Sequence, residues 1–114
     1  MPYNTQLAER IREYLSEFSS LQIEEKKMFS GLAFMVNGKM CVNVTDEGLM
    51  CRFDPDLQEE IAERKGYEPM IMKGRELKGY CYVNHDGFKS KTDFRFWVDL
   101  CLAFNDRAKV SKKK

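Results

Sequence analysis

The 114 residues include 19 Lys or Arg and 18 Asp or Glu, a formal net charge of +1. With 43% hydrophobic and 32% charged residues, the chain has the balance of one folded domain rather than a disordered segment. So even a charge lacks the broad basic footprint of a dedicated nucleic-acid binder. The longest unbroken apolar runs, five residues each at 32–36 and 100–104, fall far short of the ~20 that cross a bilayer, and the first residues hold no signal-peptide core. The expected compartment is therefore the cytoplasm, with no membrane contact.

Leu7, Ile11, Tyr14, Leu15 and Phe18 recur on a 3.6-residue period and predict an amphipathic helix over about residues 5–18. Asn4 or Thr5 caps it, and Ser19-Ser20 ends the pattern. Residues 27–53 read as three antiparallel strands, divided at Asn37-Gly38 and at Thr45-Asp46-Glu47-Gly48. Asn-Gly suits a two-residue hairpin because both positions tolerate positive φ. A type I′ turn there sets Val36 against Lys39, Met35 against Met40, Phe34 against Cys41 and Ala33 against Val42. The second turn sets Val44 against Leu49 and Val42 against Cys51.

In that register Ala33, Met35, Met40, Val42, Val44, Leu49, Cys51 and Phe53 share the expected core face. The other face carries Leu32, Phe34, Val36 and Cys41 beside Lys39, Asn43 and Arg52, more apolar than a solvated face should be. Either another element covers it or another chain does.

Asp54-Pro55-Asp56 opens a short helix with buried Leu57 and Ile61, Glu60 four residues before Arg64, and Gly66 at its left-handed end. A short apolar piece, Met70-Ile71-Met72, precedes a turn at Gly74. A strand then runs over about residues 77–84 and ends at Asn84-His85-Asp86-Gly87. The last helix spans about residues 91–108, with Ser90 and Asp93 at capping-box spacing. Phe94, Trp97, Val98, Cys101 and Phe104 form its main stripe. Phe96, Leu100 and Leu102 add an apolar flank, as on a helix wedged in a groove or shared with a partner.

Chemistry-bearing motifs are sparse. Cys41, Cys51, Cys81 and Cys101 lie ten, thirty and twenty residues apart, with a single His85 to supplement them. That spacing fits neither a zinc site nor a Cys-x-x-Cys redox pair, and reduced, buried thiols are the expectation. Gly74-Arg75-Glu76-Leu77-Lys78-Gly79 lacks the ending of a phosphate loop and reads as a hairpin turn. Phe88, Lys89, Lys91 and Arg95 interleave aromatic and basic side chains, the pattern of a nucleic-acid contact. The methionines suit core filling or an adaptable surface. No catalytic residue, cofactor or metal is expected.

The stretch Lys27-Met28-Phe29-Ser30-Gly31-Leu32-Ala33-Phe34-Met35-Val36-Asn37-Gly38-Lys39-Met40-Cys41-Val42 resembles the TfoX N-terminal domain family. The likeness continues at Leu49-Met50-Cys51-Arg52-Phe53, at Met70 and Gly74-Arg75, at Leu77-Lys78-Gly79-Tyr80-Cys81-Tyr82-Val83, and at Trp97-Val98 with Leu102-Ala103-Phe104. Ser30 stands where the family usually has a second Gly, and Asn43 where Gly is common. The resemblance implies a two-layer α+β fold with an antiparallel sheet, similar to secretion-chaperone-like domains. It also implies kinship with regulators of competence for DNA transformation, whose longer members carry a second domain. It brings no catalytic residues.

Together these features predict a single α+β domain over residues 1–108, in the order α-β-β-β-α-β-β-α, with a basic tail at 109–114. The expected function is that of a regulatory or adaptor domain, not an enzyme, with a second copy or another protein docked on Leu32, Phe34, Val36 and Cys41. A nucleic-acid-associated transcription factor using Phe88, Lys89, Lys91 and Arg95 is the alternative. A small-ligand binder or enzyme comes third.

Overall fold

A computed structural model describes residues 3–28 and 31–105. Helix α1 (Thr5–Leu15) starts where Asn4 Oδ1 accepts the Leu7 N–H at 3.0 Å, and it buries Leu7, Ala8, Ile11 and Leu15. Six strands follow: β1 (Ile23–Met28), β2 (Gly31–Val36), β3 (Lys39–Val44), β4 (Gly48–Arg52), β5 (Tyr67–Met72) and β6 (Arg75–Asn84). They form one open antiparallel sheet in the order β1-β2-β3-β4-β6-β5. Between β4 and β5 lie a 3-10 turn at Pro55–Leu57, capped by Asp54, and the one-turn helix α2 (Gln58–Ile61). Helix α3 (Lys91–Asn105) is capped by Ser90 Oγ, which accepts the Asp93 N–H at 3.0 Å. The last residues of the expected final helix, and the basic tail at 109–114, lie outside the described residues.

The α+β architecture is the expected one, with a further strand, β1, ahead of the predicted three. The charged run Glu24-Glu25-Lys26-Lys27 hides the apolar alternation that announces a strand. Those charges suit its position, since an exposed sheet edge is protected from pairing with other chains by charged side chains. Pairing with β2 and a two-pronged bond from the Arg12 guanidinium to the Glu25 carboxylate, at 2.6 and 2.8 Å, tie β1 to the body.

The Asn37-Gly38 turn is as predicted. Both residues have positive φ, 53° and 84°, and Val36 faces Lys39 while Met35 faces Met40. One step further the ladder slips. Phe34 faces Val42 and Ala33 faces Asn43, which leaves Cys41 as a bulged extra residue on β3. A slip of one residue exchanges faces, because side chains alternate with a period of two. Leu32, Phe34 and Val36 therefore join Val42, Val44, Leu49, Cys51 and Phe53 on a single face.

All three helices pack on that face. Leu7, Ile11 and Leu15 of α1, Ile61 of α2, and Phe94, Trp97, Val98 and Cys101 of α3 fill the core with it. The Trp97 indole N–H donates to the Gly87 carbonyl at 3.0 Å, so this large ring is buried with its polar atom satisfied. The opposite face has its own smaller cluster of strand residues: Ala33, Met35, Met40, Met50 and Met70, flanked by Leu77 and Tyr80.

Candidate interaction surface

Leu32, Phe34, Val36 and Cys41 do not form a surface. They are at most 5% exposed and lie under α1 and α3 in the main core. The apolar face that sequence periodicity left uncovered is covered by the chain's own helices. The cause is the bulge at Cys41, which places the residues assigned to two different faces on one.

The most exposed large hydrophobics among the described residues are Ile71, Met72 and Tyr82, at 56%, 48% and 37% exposure. All three belong to the β5–β6 ribbon at the end of the sheet. Met72 faces Arg75 across a tight turn in which Lys73 and Gly74 take positive φ, 54° and 80°, as in a type I′ hairpin. Of the segment 74–79, expected to be a hairpin turn, only Gly74 lies in the turn, and Arg75 to Gly79 belong to strand β6. Met72 and Leu77 fall on the methionine side of the ribbon, because Ile71 and Glu76 are paired on the helix side with Tyr67. The exposed rim thereby continues the buried cluster of Met35, Met40, Met50 and Met70.

A polar network fixes the ribbon to the body. The Gln58 side chain accepts the Gly79 N–H at 2.8 Å and donates to the Tyr67 hydroxyl at 2.7 Å and to Glu76 at 3.1 Å. The Tyr67 hydroxyl donates to Glu76 at 2.7 Å. Burial, then the bond to Glu76, push the Tyr67 phenol above its ordinary value. Gly79 has φ of 84°, and a Cβ there would lie 3.1 Å from the Phe53 carbonyl oxygen. This kink turns the outer half of β6, so that Leu77 joins Tyr80 on the methionine side.

The candidate nucleic-acid residues are split up. Phe88 is 2% exposed in the main core, so its ring has no face to offer a base. Lys89 pairs with Asp86 at 3.2 Å. Lys91 and Arg95 line a groove of about 160 Å³ between α1 and α3, where Arg10 joins them but so do Glu13 and Glu17. Arg95 lies over Tyr14, 5.4 Å from the ring centre, and Arg10 lies 4.0 Å over Phe94. The signs are mixed and the cations rest on the chain's own aromatic rings.

The cysteines, so far apart in sequence, come together. Cys51 and Cys81 face each other across β4 and β6. Cys101 is hydrogen-bonded to Cys41 and Cys51, and Cys51 in turn to Cys81. All four are free thiols at most 1% exposed. Hydrogen bonding to Cys101, then burial, raise the Cys41 thiol; hydrogen bonding to Cys101 and Cys81, then burial, raise that of Cys51; and the bonds to Cys41 and Cys51 lower that of Cys101. Among the described residues no group of His, Cys, Asp or Glu has an arrangement suited to holding a metal ion. Spacing along the chain gave no sign of this row, because β-pairing and the packing of α3 assemble it. The exposed rim had a weak signal in the run Met70-Ile71-Met72 beside a turn.

The TfoX N-terminal domain model matches residues 13–105, from the last part of α1 to the end of α3. The chain belongs to the TfoX N-terminal domain family. Comparison with curated proteins and with solved structures returned no match. In this TfoX N-terminal domain no described helix is long and apolar enough to cross a membrane. The matched span includes all six strands and the β5–β6 ribbon.

Proposed function

We propose that this TfoX N-terminal domain is a non-enzymatic regulatory or adaptor module of the kind found in competence regulators, and that it works by binding a protein through the β5–β6 ribbon. The observation that carries this reading is the gathering of Ile71, Met72 and Tyr82, the exposed large hydrophobics of the described chain, on that one ribbon. Met72 and Tyr82 fall on the methionine side of the ribbon and Ile71 on its other side, and exposed apolar side chains concentrated on one element mark contact sites more often than singly scattered ones do. Methionine adapts its shape to different partners, and tyrosine supplies the aromatic anchor typical of binding hot spots. The partner is a second copy or a different protein.

Affinity purification from the native host tests the proposal, with the wild type compared against a Met72→Glu, Tyr82→Glu double variant that keeps the wild-type circular dichroism spectrum. The wild type retains a stoichiometric protein, or purifies as a dimer, and the variant loses it. An identical set of retained proteins and an identical mass for the two would refute the assignment.

A further inference from the structure

The buried thiols invite a separate inference. Cys51 and Cys81 are directly opposed, and their pair belongs to the hydrogen-bonded class. The Phe53 N–H donates to the Gly79 carbonyl at 2.8 Å, and Cys51 and Cys81 lie two residues further along each strand. Hydrogen-bonded antiparallel pairs hold their Cα atoms about 5.5 Å apart, inside the Cα range of disulfides, and a closing of the two strands by about 1 Å brings their Cβ atoms within bonding reach. Both side chains point to the helix face, where they meet in the main core. Cys101 of α3 and Cys41 at the bulge belong to the same core.

We propose that this row is an oxidation site at which peroxides close a disulfide between Cys51 and Cys81. One sulfur of the pair attacks the peroxide O–O bond and takes one oxygen as a sulfenic acid, releasing water from hydrogen peroxide or an alcohol from an organic hydroperoxide. The opposing sulfur attacks that sulfenic sulfur, the S–S bond forms, and the oxygen leaves as water. The two thiols give up two electrons and two protons, and the peroxide is reduced. Complete burial sets the rate, because oxidant reaches the pair only when α3 opens locally, and the same shielding protects the disulfide from reductants once it has formed. The bond would lock β4 to β6, the strand that carries Tyr82.

The test is treatment of the wild-type protein with hydrogen peroxide, followed by thiol counting in denaturant and non-reducing peptide mapping. Titratable thiols fall from four to two, and the linked peptides contain Cys51 and Cys81. Cys41→Ala and Cys101→Ala keep the same linkage, whereas Cys51→Ala loses no thiols to a disulfide. The wild-type map stands by itself if a variant does not fold. Four thiols surviving excess oxidant would overturn the proposal, as would a linkage between any other pair or sulfinic acid as the only product.

Discussion

Phe34 on β2 stands opposite Val42 on β3, and Cys41 has no counterpart between them. The sidedness of the sheet follows from this bulge. It lets Cys41 and Val42 both join the helix-covered core while Met35 and Met40 stay paired on the other face. Cys41 is thereby brought against Cys101 of α3, and the methionines are gathered on the side that the β5–β6 ribbon continues.

Phe34 is therefore a core residue. With the ring fully buried, Phe34→Ala should cost about 3–5 kcal/mol of folding free energy in urea unfolding. Phe34→Glu should leave the chain unfolded, because nothing around the site pairs with a buried charge. A folded Phe34→Glu protein that had merely lost a partner would show that the ring is a contact residue after all.

Gly79 is the hinge of the ribbon. A Cβ at φ of 84° and 3.1 Å from a carbonyl oxygen should make Gly79→Ala cost roughly 1–3 kcal/mol. Gln58→Ala, which leaves the Gly79 N–H without its acceptor, should cost about 1–3 kcal/mol. The two residues share one hydrogen bond, so the losses should not add in a double-mutant cycle. Additive losses in unfolding titrations would mean that the two residues act independently.

Legibility in the sequence followed the locality of the interactions. The Asn37-Gly38 turn, the Asn4 and Ser90 caps and the pairing of Val44 with Leu49 depend on neighbours and were readable. The bulge at Cys41 was not, since it adds one residue without a glycine or proline to announce it. Its absence from the expected register moved Phe34 off the helix-covered core face and put Met35, which belongs to the opposite buried cluster, onto it. Likewise β1 is a strand by virtue of its partner β2, not by its own charged composition, and the cysteine row exists only once β4, β6 and α3 are in place. Ile71 and Met72 looked like any short apolar strand, because sequence does not say which strand ends the sheet.

The Arg12–Glu25 pair gives an acid-side signature. Its hydrogen bonds hold the Glu25 carboxyl below its ordinary value. A depressed carboxylate contributes stability above its unfolded pKa and loses it as pH falls through the folded value. The pair is partly exposed, so its worth is under ~1 kcal/mol. Glu25→Gln should be less stable than wild type near neutrality by that amount, and the gap should close below about pH 4. A gap that does not change with pH would assign the loss to packing instead.

On the alkaline side, burial and then the bond to Asp99, at 2.7 Å, push the Tyr14 phenol up to about 12. A raised phenol stabilises fully below its unfolded value, ordinarily 10, and the contribution disappears as pH rises towards the folded one. Wild-type stability should therefore fall between those two values more steeply than that of Tyr14→Phe. Parallel curves in urea titrations across this range would contradict the burial assigned to Tyr14.

The central claim is that the β5–β6 ribbon is the contact surface. Site-specific photocrosslinking in the native host measures this directly, with the crosslinking residue placed at Met72 and, as a control, at the exposed Glu13 of α1. Position 72 should capture one discrete protein, either a second copy or another chain, and position 13 should not. No adduct at position 72, or the same adducts from both positions, would contradict the account.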